Sequence, residues 1–172
     1  TTRSGLIPDL SNVVLSRHPF VSIHLPLYNE KRVVNRLLEA VTSMDYYREV
    51  GQVDMADNGE SGSGLKGVKG LTLSPPGIQR IPNFEVIVCD DSTDETKDIV
   101  NEWKNHPLIK ISHRDSREGF KGAALKQALT LMDPRTEFIH VFDAHFLPYP
   151  ATIQHFLKNF QVSAGRLDFR QL

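Results

Sequence analysis

Short apolar stretches alternate with amphipathic ones along most of the chain. Apolar and β-branched residues predict strands at residues 20–25, 84–89, 108–112 and 138–142. After each strand, apolar side chains recur at the spacing of one helix face; they are Val33, Val34, Leu37, Leu38 and Val41, then Ile99, Val100 and Trp103, then Ala124, Leu125, Ala128, Leu129 and Met132, and last Ile153, Phe156, Leu157 and Phe160. This alternation predicts an α/β fold in which helices flank a mainly parallel sheet whose loops gather along one edge.

The pattern is interrupted in three places. Residues 1–19 show no sustained period and are predicted to be an arm that leads into a domain at 20–164. Residues 48–82 are rich in glycine and predict a flexible insertion, in which residues 62–67 match G-x-G-x-x-G by letter. We interpret that match as accidental, because no strand precedes it and no amphipathic helix follows it. Residues 165–172 form a tail without a closing strand or helix cap, so we expect the domain to be truncated.

Composition narrows the class of protein. A length of 172 residues with 40% hydrophobic content suits one domain with a real core. The formal net charge of -1 gives no general basic field, so nucleic acid is not an expected partner. The single Cys89 excludes an internal disulfide. No apolar run approaches the roughly 20 residues that a bilayer span requires, so we expect a soluble chain without a membrane span.

Two acidic segments come directly after predicted strands. Asp143 and His145 follow the fourth strand and offer an oxygen and a nitrogen ligand to a divalent metal; alternatively, Asp143 caps the following helix. Asp90 and Asp91 follow the second strand, where Ser92 or Thr93 could cap the next helix. One carboxylate is expected to satisfy turn amides, and Asp91, farther out along the turn, to accept paired N–H groups from a nucleobase.

A basic loop precedes the third predicted helix. It contains Arg114, Arg117 and Lys121, followed by the small residues 122–124, which permit close approach of a backbone. Lys121 at the helix start adds a full charge to the positive end of the helix dipole, so the loop could hold a diphosphate. The alternative is a solvated basic turn.

Four segments together carry a family resemblance. They are 26–30 (PLYNE), 90–94 (DDSTD), 114–125 (RDSREGFKGAAL) and 142–148 (FDAHFLP). In this order they resemble the inverting family 2 glycosyltransferases, and most closely the cellulose synthase-like branch that includes glucomannan (mannan) synthases. The resemblance covers approximately residues 20–160, apart from the insertion.

This resemblance implies a GT-A type, Rossmann-like fold that binds a nucleotide-diphosphate sugar. By position in the motifs, Pro26 and Tyr28 would border the base, Glu30 would lie nearby, Asp91 would pair with the N–H edge of the base, and Lys121 would approach the diphosphate.

It also implies a divalent cation, Mn or Mg. Asp143 and His145 occupy the positions of the family's Asp-x-Asp, which binds the sugar donor and the metal. His145 departs from the family pattern, and because imidazole suits the hard Mg ion poorly, it favours Mn.

The implied activity is inverting transfer of a hexose from GDP-mannose or UDP-glucose to a glycan acceptor. The family's catalytic base would follow Leu172, so this chain would carry the donor-binding half of a membrane protein with a cytosolic catalytic domain. Two alternatives remain: a non-catalytic nucleotide-sugar-binding or regulatory module, which His145 favours, and a dinucleotide-dependent oxidoreductase that would use the glycine pattern at 62–67.

Overall fold

Strands and helices alternate through the computed structural model, which describes residues 9–51, 78–115 and 118–166. The strands are β1 (Phe20–Leu27), β2 (Tyr47–Gly51), β3 (Ile78–Pro82), β4 (Phe84–Asp90), β5 (Ile109–His113) and β6 (Thr136–Val141). The helices are α1 (Val34–Thr42), α2 (Thr96–Glu102), α3 (Phe120–Ala128) and α4 (Thr152–Arg166). None of these helices combines the length and apolar character that a membrane crossing needs.

A four-stranded sheet in the order β5-β4-β1-β6 forms the centre of the fold, and all its strands are parallel. Strands β1 and β4 lie in the middle and are buried along almost their whole length. Helices α1, α2 and α4 pack on one face of the sheet, and α3 packs on the other against Ile87 and Cys89. The structure thus confirms the predicted mainly parallel α/β sheet flanked by helices.

The apolar run at 138–142 also predicts a buried strand, and strand β6 differs from that prediction. It lies at the edge of the sheet, where Phe138 packs against Phe156 of α4 on one face. On the other face Ile139 and Val141 are 41% and 42% exposed, because α3 covers β4 and not β6. Leu129, predicted on the buried side of α3, is likewise exposed, since that helix ends at Ala128.

The predicted flexible insertion at 48–82 is ordered at both of its ends. Strands β2 and β3 pair antiparallel there, from Tyr47↔Pro82 to Gly51↔Ile78. The guanidinium carbon of Arg80 lies 5.1 Å from the centre of the Tyr47 ring, and Val50 is buried. The flexible interpretation was therefore wrong for the segment ends, because these side chains have partners to pack on. Residues 52–77, with the glycine pattern at 62–67, lie outside the described residues.

The described part of the N-terminal arm, residues 9–19, packs along α4 and β6. The side-chain oxygen of Gln161 accepts hydrogen bonds from the Ser16 amide at 2.9 Å and the Ser16 hydroxyl at 3.0 Å. Its amide nitrogen donates to the Val14 carbonyl at 2.9 Å. Arg17 pairs with Glu137 of β6. These contacts fix the arm against the sheet edge, whereas residues 1–8 and the predicted tail beyond 166 lie outside the described residues.

A buried polar network lies between the sheet and the end of α3. The Ser22 hydroxyl donates to Glu85 Oε1 at 2.9 Å and lies 3.2 Å from His24 Nε2. The other Glu85 oxygen pairs with Lys110 Nζ at 2.8 Å. Burial lowers the pKa of His24, and the negative charge of Glu85 opposes that shift. His24 is therefore a satisfied core histidine.

Candidate functional site

A cleft of about 430 Å³ opens at the carboxyl ends of the parallel strands. Its lining residues are Pro26, Leu27, Tyr28, Glu30, Cys89, Asp91, Lys121, Ala124, Asp143, Ala144 and His145. The chain runs from β1 to β4 and β5 on one side and then returns to β6 on the other, so the crevice between β1 and β6 is a topological switch point. Ligands of open α/β sheets bind at such points. The structure brings all seven residues expected at the site into this one cleft.

Pro26 marks the place where β1 and β6 separate. The last hydrogen bond between these strands runs from the Phe142 amide to the His24 carbonyl at 3.1 Å. In a strand, backbone groups two residues apart point to the same side, so the amide of residue 26 would be the next donor toward β6. Proline has no N–H, and the ladder ends there. The resulting gap forms the mouth of the cleft.

The loop after β1 is fixed to the loop after β4 through Asn29. Asn29 has a positive φ of 55°, its amide donates to Ser92 Oγ at 2.9 Å, and its side-chain oxygen accepts from the Thr93 amide at 2.9 Å. These bonds position the neighbouring Tyr28 and Glu30. They also occupy Ser92 and Thr93, so the prediction that one of these caps α2 was wrong. The Thr96 amide at the start of α2 instead bonds to Asp94 Oδ1 at 3.0 Å.

The adjacent carboxylates of Asp90 and Asp91 have separate roles. Asp90 Oδ1 accepts the Ser92 amide at 3.1 Å, which confirms the expected turn role for one of the pair. Its Oδ2 lies 2.8 Å from His113 Nδ1. Asp91 is buried, and both of its oxygens bond to Arg114. Asp91, the candidate for binding the base, is therefore a carboxylate whose position is fixed by Arg114.

Arg114 lies at the candidate site, and the sequence interpretation missed its contact with Asp91. Its side chain is 14% exposed, so the solvated-turn alternative was wrong for this residue. Hydrogen bonds to Asp91 raise the pKa of the Arg114 guanidinium and keep it charged. The contact follows from the register of β4 and β5. Asp90 pairs with His113, so the next residues, Asp91 and Arg114, lie side by side. Arg117, the other arginine of the predicted basic loop, lies outside the described residues.

Lys121 stands at the start of α3 on the rim of the cleft and forms an ion pair with Asp143. The preceding Gly119 and Phe120 have positive φ angles of 73° and 50°. A Cβ added at Gly122 would meet no described atom within 4 Å, so no described part of the protein approaches the backbone closely at this position.

Asp143 and His145 follow β6 on the other wall of the cleft. His145 Nε2 lies 3.7 Å from Glu30 Oε2. Helix α4 begins at Thr152, so Asp143 does not cap it and that alternative was wrong. Within the described ranges, no group of three or more His, Cys, Asp and Glu side chains could hold a metal. Asp143 and His145 therefore offer at most two side-chain ligands to an ion at this place.

Cys89 lines the cleft but is not a nucleophile. Burial and, to a smaller extent, the nearby charge of Asp91 raise the pKa of its thiol to about 12. The thiol is therefore protonated near neutral pH, which disfavours thiolate chemistry.

Comparison with known proteins gives a family. The family model described as Glycosyl transferase family 2 matches residues 78–164. The chain belongs to glycosyl transferase family 2. The matched range includes Asp91, Lys121, Asp143 and His145.

Proteins that are similar in sequence to this family 2 chain include two plant proteins. It is 28% identical over 145 residues to the probable glucomannan 4-beta-mannosyltransferase 10 of Arabidopsis thaliana. The aligned region covers 80% of this chain and 20% of that protein. It is 29% identical over 140 residues to the probable glucomannan 4-beta-mannosyltransferase 1 of the same plant, covering 77% and 19%. The chain thus spans about a fifth of the length of these relatives. The resemblance to the glucomannan synthase branch is confirmed.

Solved structures with the same fold include TarS of S. aureus. The TarS 1-349 structure superposes with a TM-score of 0.53 and 21% identity, covering 83% of this chain and 32% of TarS 1-349. A longer TarS structure gives a TM-score of 0.54 and 20% identity, covering 84% and 20%. At this identity the likeness concerns the fold, which is the predicted GT-A type.

Proposed function

We propose that this chain binds a nucleoside diphosphate sugar in the cleft and forms the donor-binding half of an inverting hexosyltransferase. One observation carries the proposal: the seven residues expected from the sequence line a single cleft, at the switch point of a family 2 fold. The donor is GDP-mannose or UDP-glucose, and the acceptor is a glycan. The roles assigned to this chain are confined to holding the donor.

The base lies at the end of the cleft formed by Pro26, Tyr28 and Asp91. The fork of Arg114 holds the plane of the Asp91 carboxylate, and each carboxylate oxygen keeps a second lone pair for a ligand N–H. These two lone pairs lie on opposite sides of the carboxylate, so one base donates a single N–H to Asp91, which guanine and uracil can both do. Asp91 therefore suits a guanine or a uracil nucleotide.

The diphosphate lies near Lys121, whose ammonium and the amino end of α3 attract negative charge. When the diphosphate binds, Lys121 leaves Asp143 for the phosphate oxygens, and the Asp143 carboxylate becomes available. Asp143 and His145 would then hold a divalent ion together with diphosphate oxygens. Such an ion neutralises the nucleoside diphosphate as it departs.

A second candidate is a non-catalytic nucleotide-sugar-binding module. It is favoured by the ion pair in which Lys121 already neutralises Asp143. It is also favoured by His145, because the proposed metal position then has one carboxylate fewer than the family's Asp-x-Asp. This module would bind the donor but would not consume it, even within a chain of the relatives' full length and with a glycan acceptor present.

Calorimetric titration with GDP-mannose and UDP-glucose, each with and without Mn²⁺, tests the proposal. We expect binding that Mn²⁺ and His145→Asp both strengthen and that Asp143→Ala weakens in the presence of Mn²⁺. The matched control is Glu95→Ala, because Glu95 is also an exposed carboxylate paired with a lysine, outside the cleft. Failure of the unaltered chain to bind either donor would contradict the proposal, as would equal losses in Asp143→Ala and Glu95→Ala.

A further inference from the structure

Arg114 contacts two different parts of the cleft. Its Nε donates to Asp91 Oδ1 at 2.7 Å, and one terminal nitrogen bonds to Asp91 Oδ2. The same terminal nitrogen donates to the Phe120 carbonyl at 3.1 Å, and the other donates to the Glu118 carbonyl at 3.2 Å. One guanidinium thus joins the carboxylate after β4 to the turn that begins α3.

The turn that Arg114 holds has an unusual backbone. Gly119 and Phe120 both have positive φ angles, and such a conformation persists only where surrounding contacts maintain it. The Glu118 and Phe120 carbonyls that flank Gly119 are the ones that Arg114 binds. Lys121 is the next residue, so the direction of its side chain across the cleft depends on this turn.

We propose that Arg114 is a positioning residue that couples the base end of the cleft to its diphosphate end. This inference rests on the proposed function, since it assumes that Asp91 and Lys121 bind the two ends of one nucleotide. Arg114 holds the Asp91 carboxylate in one plane and holds the turn that presents Lys121. Lysine at position 114 would keep the charge, but a single ammonium cannot bond both Asp91 oxygens and two carbonyls in this planar arrangement.

A double-mutant cycle measures this coupling directly. GDP and UDP are titrated by calorimetry into the unaltered chain, Arg114→Lys, Lys121→Ala and the double variant. In the unaltered background we expect Lys121→Ala to weaken nucleotide binding strongly. In the Arg114→Lys background the same change should weaken it at least about fivefold less, because Lys121 is no longer directed at the diphosphate.

The matched control is Arg135→Lys. Arg135 makes the same two-pronged contact, with its Nε on Asp133 Oδ1 at 2.9 Å and a terminal nitrogen on Oδ2 at 2.7 Å, but it does not line the cleft. In that background the loss from Lys121→Ala should equal the loss in the unaltered chain. Arg114→Gln provides a second test of the cycle if Arg114→Lys does not fold, as judged by its melting curve.

The outcomes separate the two proposals. If the unaltered chain binds a nucleotide but Lys121→Ala costs the same affinity in every background, the coupling is contradicted and the proposed function stands. If the unaltered chain binds neither GDP nor UDP, both are contradicted. A smaller loss in the Arg114→Lys background, with an unchanged loss in the Arg135→Lys background, supports the coupling.

Discussion

Lys121 and Asp143 pair across the mouth of the cleft, where their side chains are 50% and 74% exposed. Exposed pairs of this kind contribute about 0–1 kcal/mol to folding, because water screens both charges. The pair therefore has little to do with stability. Its position between the two walls of the cleft points to a role in binding.

We predict that Lys121→Ala changes the free energy of unfolding by no more than about 1 kcal/mol, as urea denaturation would measure it. The same variant should lose on the order of tenfold or more in affinity for GDP, because a full positive charge beside the diphosphate is removed. Lys31→Ala is the control: Lys31 forms a comparable exposed pair with Glu95 outside the cleft. Equal binding by the two variants would contradict the role given to Lys121.

At the scale of single residues, the sequence predicted which side chains come together at one edge of the sheet, but not the hydrogen bonds and ion pairs that they form there. Asp91, Lys121 and Asp143 follow strands or begin a helix, so their arrival at one edge follows from the parallel alternation. The burial of Asp91 by Arg114 depends on the register between β4 and β5, which hydrophobic periodicity does not specify.

The turn that begins α3 depends on Gly119. It has a φ of 73°, and an added Cβ would lie 2.7 Å from the Cβ of Ala123. A side chain at this position is thus opposed both by the backbone conformation and by the space available.

We predict opposite effects for two substitutions in this segment. Gly119→Ala should lower the free energy of unfolding by about 1–3 kcal/mol, because it forces a non-glycine residue into a strained conformation. Gly122→Ala should raise it by up to about 1 kcal/mol, since alanine favours the helix and its Cβ would meet no described neighbour within 4 Å. Thermal and urea denaturation of both variants would check this, and a Gly119→Ala variant as stable as Gly122→Ala would contradict it.

Strands and helices were predicted best in segments where a single pattern of hydrophobic residues dominates. The four parallel strands and the four helices follow from apolar runs and helical spacing. Strands β2 and β3 were missed because glycines surround them and only short segments at 47–51 and 78–82 alternate. The exposure of Ile139 and Val141 on β6 follows from its edge position, which its own residues do not reveal.

Three histidines link the stability of the whole molecule to pH. Burial lowers the pKa of His24, His106 and His140 below the ordinary value of 6.5. His140 lies between the rings of Phe142 and Phe156, and its buried Nδ1 has no hydrogen-bond partner among the described residues.

We predict that the free energy of unfolding falls as the pH is lowered from 7 to 5. Below about pH 6.5 the unfolded chain binds more protons at these histidines than the folded chain does, so protonation favours unfolding. Above that pH all three are neutral in both states and their contribution is complete. His140→Phe should reduce the slope, because one such imidazole is removed. Urea denaturation across this range would check it, and a flat or rising stability toward pH 5 would contradict it.

The order of the central sheet lay beyond prediction from the sequence. Alternating strands and helices imply a parallel sheet, but several strand orders satisfy the same alternation. The order β5-β4-β1-β6 places the switch point between β1 and β6, and this placement makes the separate segments into one cleft. The family motifs named residues that line one cleft, and the topology explains why they come together.

The most direct test of the central claim is an NMR titration of the ¹⁵N-labelled chain with GDP and UDP. We predict that the amide signals of Tyr28, Asp91, Lys121 and Asp143 shift together as nucleotide is added, because one ligand spans the cleft they line. Shifts confined to the separate cavity of about 280 Å³ beside His113, or no shifts at all, would contradict the assignment of this cleft as the donor site.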